Sequence, residues 1–251
     1  MNIKTISDRV LFALSVPKCV GCLEPLEYGE KAFCPKCSLE FEEIKNRNCS
    51  RCAKKLNYCG CSNEYLESHF VRRVSKSFRY MIRGDNLNVA NSLIFSLKRQ
   101  NREDVLEFAA REMSANIRNI VDTPEMYIIT NVPRRRKAII EFGIDHSSLL
   151  AERVAELLGA EYISILKSNS RKPQKSLERA DRLKNVEFEI VNDIDISGRS
   201  VIIVDDVITT GASVGAAAML LKSLGAKNIV AASLGIAYKD KYDGAGYEKI
   251  R

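Results

Sequence analysis

Asp205 and Asp206 stand side by side, and Thr209, Thr210, Gly211, Ala212 and Ser213 follow within a few residues. Two adjacent carboxylates can accept hydrogen bonds from the two neighbouring hydroxyls of a ribose ring. The hydroxyl-rich turn suits a phosphate. Backbone N–H groups at a helix start point outward unpaired, the helix dipole favours negative charge, and Gly211 lets an anion come close. Together these residues make a site for a phosphorylated sugar.

Such a site needs a strand before it and a helix after it. Val201, Ile202, Ile203 and Val204 form an unbroken β-branched run, the pattern of a parallel strand covered on both faces. The two acids are expected where that strand emerges at its carboxyl end, the usual place for ligands in an open α/β sheet. Val214 to Leu224 reads as a helix, with Gly225 as its stop. A Walker B strand would also carry acids at its end, but it requires a G-x-x-x-x-G-K-[ST] segment, and the chain has none.

Upstream, Met126 to Thr130 reads as a short buried strand running into Val132 and Pro133, then Arg134, Arg135, Arg136 and Lys137. Guanidinium forks match phosphate oxygens in pairs, so a turn that ends in four cations is a candidate pyrophosphate site; a solvated loop is the bland alternative. Before it, Ser68 to Tyr80 alternates as a strand, and Leu87 to Lys98 and Glu103 to Val121 have helical patterns. After it come a helix from Asp145 to Leu158, ended by Gly159, and a strand from Tyr162 to Leu166. The polar, basic stretch from Lys167 to Asn185 is expected to be a mobile loop able to shield a labile diphosphate from water.

All eight cysteines fall early, at Cys19, Cys22, Cys34, Cys37, Cys49, Cys52, Cys59 and Cys61. C-x-x-C pairs and a final C-x-C present thiolates as tight knuckles do to tetrahedral zinc, so two four-cysteine structural Zn²⁺ sites are expected. The simplest assignment is sequential, with the first four around one ion and the last four around the other; the spacing leaves an interleaved pairing open. Disulfides do not suit a chain expected in the reducing cytoplasm, and an iron–sulfur cluster is a weaker rival. Metal binding would supply the folding energy that so small an apolar content lacks.

The chain has 251 residues, 45% of them hydrophobic, enough for a full core and a smaller appendage. A formal charge of +7 favours anionic ligands, phosphates and nucleic acid alike. No apolar run approaches the ~20 residues that cross a bilayer. The first residues lack a signal-peptide pattern, and Ile3, Ile6, Val10, Leu11 and Leu14 suit one face of a short helix. The expected location is the cytoplasm, without membrane insertion.

The run VIIVDDVITTGAS resembles the phosphoribosyl-pyrophosphate (PRPP) signature of type I phosphoribosyltransferases. With the cysteine ribbon, EFGIDHSSLLAERVAELLG and RKPQKSLERADRLKN in that order, nearly the whole chain resembles the ComF-type competence proteins, which serve DNA uptake in bacteria. Gln174, Leu177, Arg182 and Asn185 match that family's pattern, whereas Phe142 to His146 stand where it often reads Arg-Gly-Phe-Asn-Gln.

The resemblance implies an open, mainly parallel sheet flanked by helices over residues 67–251, behind an N-terminal helix and double zinc ribbon over residues 1–66. It implies PRPP held with Mg²⁺ between Val132, Pro133, Arg134 and Arg135 on one side and Asp205, Asp206, Thr209, Thr210, Gly211, Ala212 and Ser213 on the other. The two aspartates would orient the sugar for transfer to an acceptor that no segment identifies. A different class of function is a non-catalytic PRPP- or phosphate-binding factor that handles single-stranded DNA alongside competence proteins, with Tyr58, Tyr65, Phe70 and Phe78 as candidate base-stacking residues.

Overall fold

The computed structural model describes residues 16–80, 88–134, 139–140, 143, 145–168, 188–191 and 194–237. The expected N-terminal helix, Arg135 to Lys137 and nearly all of the Lys167 to Asn185 loop lie outside them.

The elements run α1 (Pro35–Lys45), α2 (Glu64–Ser68), β1 (Val71–Arg79), α3 (Val89–Arg99), α4 (Glu103–Arg118), β2 (Tyr127–Asn131), α5 (His146–Leu158), β3 (Glu161–Tyr162), β4 (Leu166–Ser168), β5 (Phe188–Ile190), β6 (Ser200–Ile208), α6 (Ala212–Ser223) and β7 (Ile229–Ile236). Five strands form one sheet in the order β1-β7-β6-β2-β3, and every pairing in it is parallel. The segment read as one strand from Tyr162 to Leu166 divides instead: β3 closes the main sheet, and β4 pairs antiparallel with β5 in a separate ribbon.

Both faces of the sheet are covered, as its β-branched runs require. Ile202 and Val204 face a core built with α3, α4 and α5, while Val201 and Ile203 face one built with Leu66 and α6. In α3, the completely or nearly buried Leu93, Ile94 and Leu97 contribute about 2 kcal/mol each by leaving water. Asn88 starts that helix by accepting from Asn91 N, and Asp145 starts α5 by accepting from Ser147 N and Ser148 N.

The cysteine-rich segment joins the main core. Phe41 of α1 packs edge-on against Phe78 of β1 and Phe108 of α4, with ring centroids 5.9 and 5.5 Å away. The β1 residue Lys76 is completely buried, and its Nζ donates to the carbonyls of Cys59 at 2.9 Å, Cys61 at 2.8 Å and Val74 at 3.2 Å. Among the described residues no helix is long and apolar enough to cross a membrane.

Candidate functional site

The strand β6 does not stop at Val204 but continues through both acids to Ile208, and its two edges behave differently. Its pairing with β2 ends at Asn131↔Val204, whereas its pairing with β7 runs on to Ile208↔Ile236. A crevice therefore opens beside Asp205 and Asp206 on the β2 side only. The chain order reverses there, since β3 lies beyond β2 on one side and β6 on the other, which is the switch point where open α/β sheets bind ligands.

Strand alternation sends the two carboxylates to opposite faces. Asp205 lines a cavity of about 60 Å³ together with Val207 to Val214, the turn that carries Thr209, Thr210, Gly211, Ala212 and Ser213. That volume has room for several water molecules, or for a group of phosphate size. Burial, then the negative charge of Asp206, pushes the Asp205 carboxyl up to about 7, against the opposing pull of Lys98 and Arg134. Asp206 is nearly buried and holds Lys98 Nζ at 3.0 Å on one oxygen and Arg134 Nη2 at 2.8 Å on the other.

The phosphate-type turn is shaped from beneath. Gly211 adopts φ +83° at the start of α6, where Thr210 Oγ1 accepts from Ala212 N at 3.3 Å. The space beside Gly211 belongs to protein, because a β-carbon there would lie 3.1 Å from Leu66 and 3.2 Å from Tyr65. Tyr65 stacks on His69 at 4.2 Å, and His69, which has no recognisable motif, contacts Tyr65 O through Nδ1 at 2.7 Å.

The strand β2 brings the second loop alongside. Val132 N donates to Val204 O at 2.9 Å and Ser147 Oγ donates to Val132 O at 2.8 Å, which fixes the turn through Pro133 and points Arg134 at Asp206. His146 is buried at the start of α5, and burial, then the charge of Arg134, holds its imidazole below the ordinary range. Lys98 escaped the sequence reading because its surroundings, SLKRQ, carry no motif; only its place in the last turn of an amphipathic helix is visible there.

The cysteines gather in sequential groups, Cys19, Cys22, Cys34 and Cys37 in one and Cys49, Cys52, Cys59 and Cys61 in the other, with all Sγ atoms of a group within 4.8 Å of one another. Zinc–thiolate bonds of about 2.3 Å in a tetrahedron place sulfurs roughly 3.8 Å apart. Cys22 and Cys34 lie 3.7 Å apart, and Cys52 and Cys59 lie 3.5 Å apart. Burial raises Cys19, but N–H groups of Cys22, Cys34 and Gly21 outweigh it and bring the thiol down to about 7. In the second group burial, then Cys52 and Cys59, pushes Cys61 up to about 12. Four sulfurs so close together could hold a divalent cation as thiolates, and both groups are consistent with structural zinc.

The fold is that of a type I phosphoribosyltransferase-like domain, carried behind two Cys₄ clusters. Residues 137–249 match the family described as "Phosphoribosyl transferase domain". The chain is 24% identical over 226 residues to "DNA utilization protein YhgH" of Shigella flexneri, covering 86% of this chain and 96% of that one. It is 26% identical over 213 residues to "Competence protein F" of Haemophilus influenzae, covering 78% and 93%. A shorter stretch of 88 residues is 42% identical to the adenine phosphoribosyltransferase of Mycobacterium marinum, covering 34% of this chain and about half of that enzyme, 48%. The resemblance to ComF-type proteins therefore extends over most of the chain.

Proposed function

We propose that the chain binds PRPP in the β2/β6 crevice and acts in the cytoplasm as a phosphoribosyltransferase-like protein associated with DNA uptake. The observation that carries the reading is the ending of the β2 pairing at Val204, which leaves Asp205 in one cavity with the Thr209 to Ser213 turn. In this reading the 5′-phosphate occupies the turn, receiving N–H groups from the start of α6 and hydroxyls from Thr209, Thr210 and Ser213. Asp205 accepts from a ribose hydroxyl, Asp206 lies one residue on at the crevice, and Val132 to Arg134 line the diphosphate side.

In transfer, the bond from the anomeric carbon to the diphosphate oxygen breaks as an acceptor nucleophile bonds to that carbon. Carboxylates near the ribose stabilise the positive charge that develops on it. Bound with the diphosphate, Mg²⁺ would neutralise the leaving group. The Asp205 carboxyl faces the cavity with no ion-pair partner among the described residues, and ribose hydroxyls or a metal ion brought in with the diphosphate would favour its ionised form.

A second reading, a non-catalytic factor for single-stranded DNA, draws support from Tyr58, 53% exposed beside Cys59 in the chain, and from Phe70, 47% exposed with Lys222 Nζ 5.9 Å from its ring. Phe78 is core and Tyr65 is packed on His69, so neither offers a free face to a base. Titration with PRPP and Mg²⁺, followed by a nucleobase and amine panel read as pyrophosphate release, separates the readings. Release with one acceptor supports transfer; saturable PRPP binding without release, together with salt-sensitive DNA binding, supports the second.

A further inference from the structure

We infer that Lys98, on a helix that precedes the matched phosphoribosyltransferase region, is a diphosphate-binding residue that Asp206 holds in readiness at the mouth of the β2/β6 crevice. The inference rests on the reading that PRPP binds there. The helix α3 buries Val89, Ala90, Leu93, Ile94 and Leu97 against the sheet, and that anchorage fixes where Lys98 emerges, one residue beyond Leu97. Its side chain is 38% exposed, while the carboxylate it meets is 8% exposed, so the ammonium lies at the boundary between the buried acid and solvent.

Asp206 presents each of its oxygens to a different cation, Lys98 from α3 and Arg134 from the turn after β2. One carboxylate is thus shared by two cations, a resting arrangement that leaves positive charge and donors unspent. An ammonium has three protons, and Asp206 is the one ion-pair partner of Lys98 among the described residues. An incoming diphosphate can accept the remaining protons without displacing Asp206. Arg134 flanks the same carboxylate, so the two cations form a pair of jaws. Asp205, on the other face of the strand, stays with the cavity of the turn.

A purely structural ion pair would orient Asp206 and do nothing else, and three probes distinguish that case. Wild type, Lys98→Met and Lys98→Arg are titrated calorimetrically with PRPP, inorganic pyrophosphate and ribose 5-phosphate, each with Mg²⁺, and thermal melts verify folding. Loss of one charge-assisted contact predicts that Lys98→Met weakens PRPP and pyrophosphate by roughly tenfold to a hundredfold while ribose 5-phosphate is unchanged. Lys98→Arg, which keeps the charge, should restore most of that loss. Unchanged PRPP and pyrophosphate affinity, or an equal loss for ribose 5-phosphate, overturns the role of Lys98 and leaves PRPP binding standing. A wild-type chain that binds neither PRPP nor pyrophosphate overturns the crevice reading itself.

Discussion

Tyr65 lies so close to Gly215 that a β-carbon there would come within 2.9 Å of Tyr65 Cε1. The helix α2, which starts three residues after Cys61, thus packs directly on the first turn of α6. The helix α2, the phosphate-type turn and α6 form one continuous packing unit.

Gly211 should not tolerate a side chain. Its φ of +83° disfavours other residues, and Leu66 and Tyr65 fill the space beside it. Gly211→Ala is expected to lower stability by about 1–2 kcal/mol and to weaken PRPP binding further than that loss explains, because the turn must shift. Denaturant unfolding and PRPP titration of the same variant measure the two effects.

Asp205 predicts a pH dependence of known sign. Its carboxyl is raised from an ordinary 3.8 to about 7, so the fold favours the protonated form. The stability this contributes is full below about pH 4 and is lost as pH rises through 7. Asp205→Asn, which keeps the shape without the charge, should therefore be more stable than wild type at pH 8, by up to about 4 kcal/mol, and nearly equal to it at pH 4. PRPP affinity of the wild type should rise with pH across the same interval, since the ionised carboxylate is the one that accepts from ribose.

Lys76 ties the second cysteine group to β1 as a buried cation held by carbonyls, with no carboxylate partner among the described residues. A buried charge is costly unless compensated, and a zinc ion bound by four thiolates carries net negative charge close by. Lys76→Met should retain the first zinc and release the second more readily to a chelator. Zinc stoichiometry by atomic emission, with release followed by a chromogenic chelator, reports this.

Phe41 joins α1 to the sheet through Phe78 and Phe108. Phe41→Ala is expected to cost about 3–5 kcal/mol, the usual loss for a deleted core aromatic, and to broaden the thermal transition of the whole chain rather than of the cysteine segment alone. Calorimetry checks both.

Much of this architecture was legible because the signals are local. The run from Val201 to Val204 marks a two-sided strand by composition, Gly159 and Gly225 mark helix stops by type, and C-x-x-C spacing brings thiols together whatever surrounds them. Long-range partners left no such mark. The strand β6 continues past Asp206 because β7 still pairs with it, and a single sequence cannot show a hydrogen-bonding neighbour. The same holds for Lys98 meeting Asp206, for Lys76 turning inward beneath Cys59 and Cys61, and for the packing of α2 that makes Gly211 obligatory. The resemblance named the crevice's two loops, but not the helix that supplies a second cation to it.

The most direct test is calorimetric titration of PRPP with Mg²⁺ into wild type and into Asp205→Asn/Asp206→Asn, both verified as folded by thermal melts. Saturable one-site binding by the wild type that the double variant abolishes is the predicted result; unaltered affinity in a folded double variant would contradict the placement of the sugar at the end of β6.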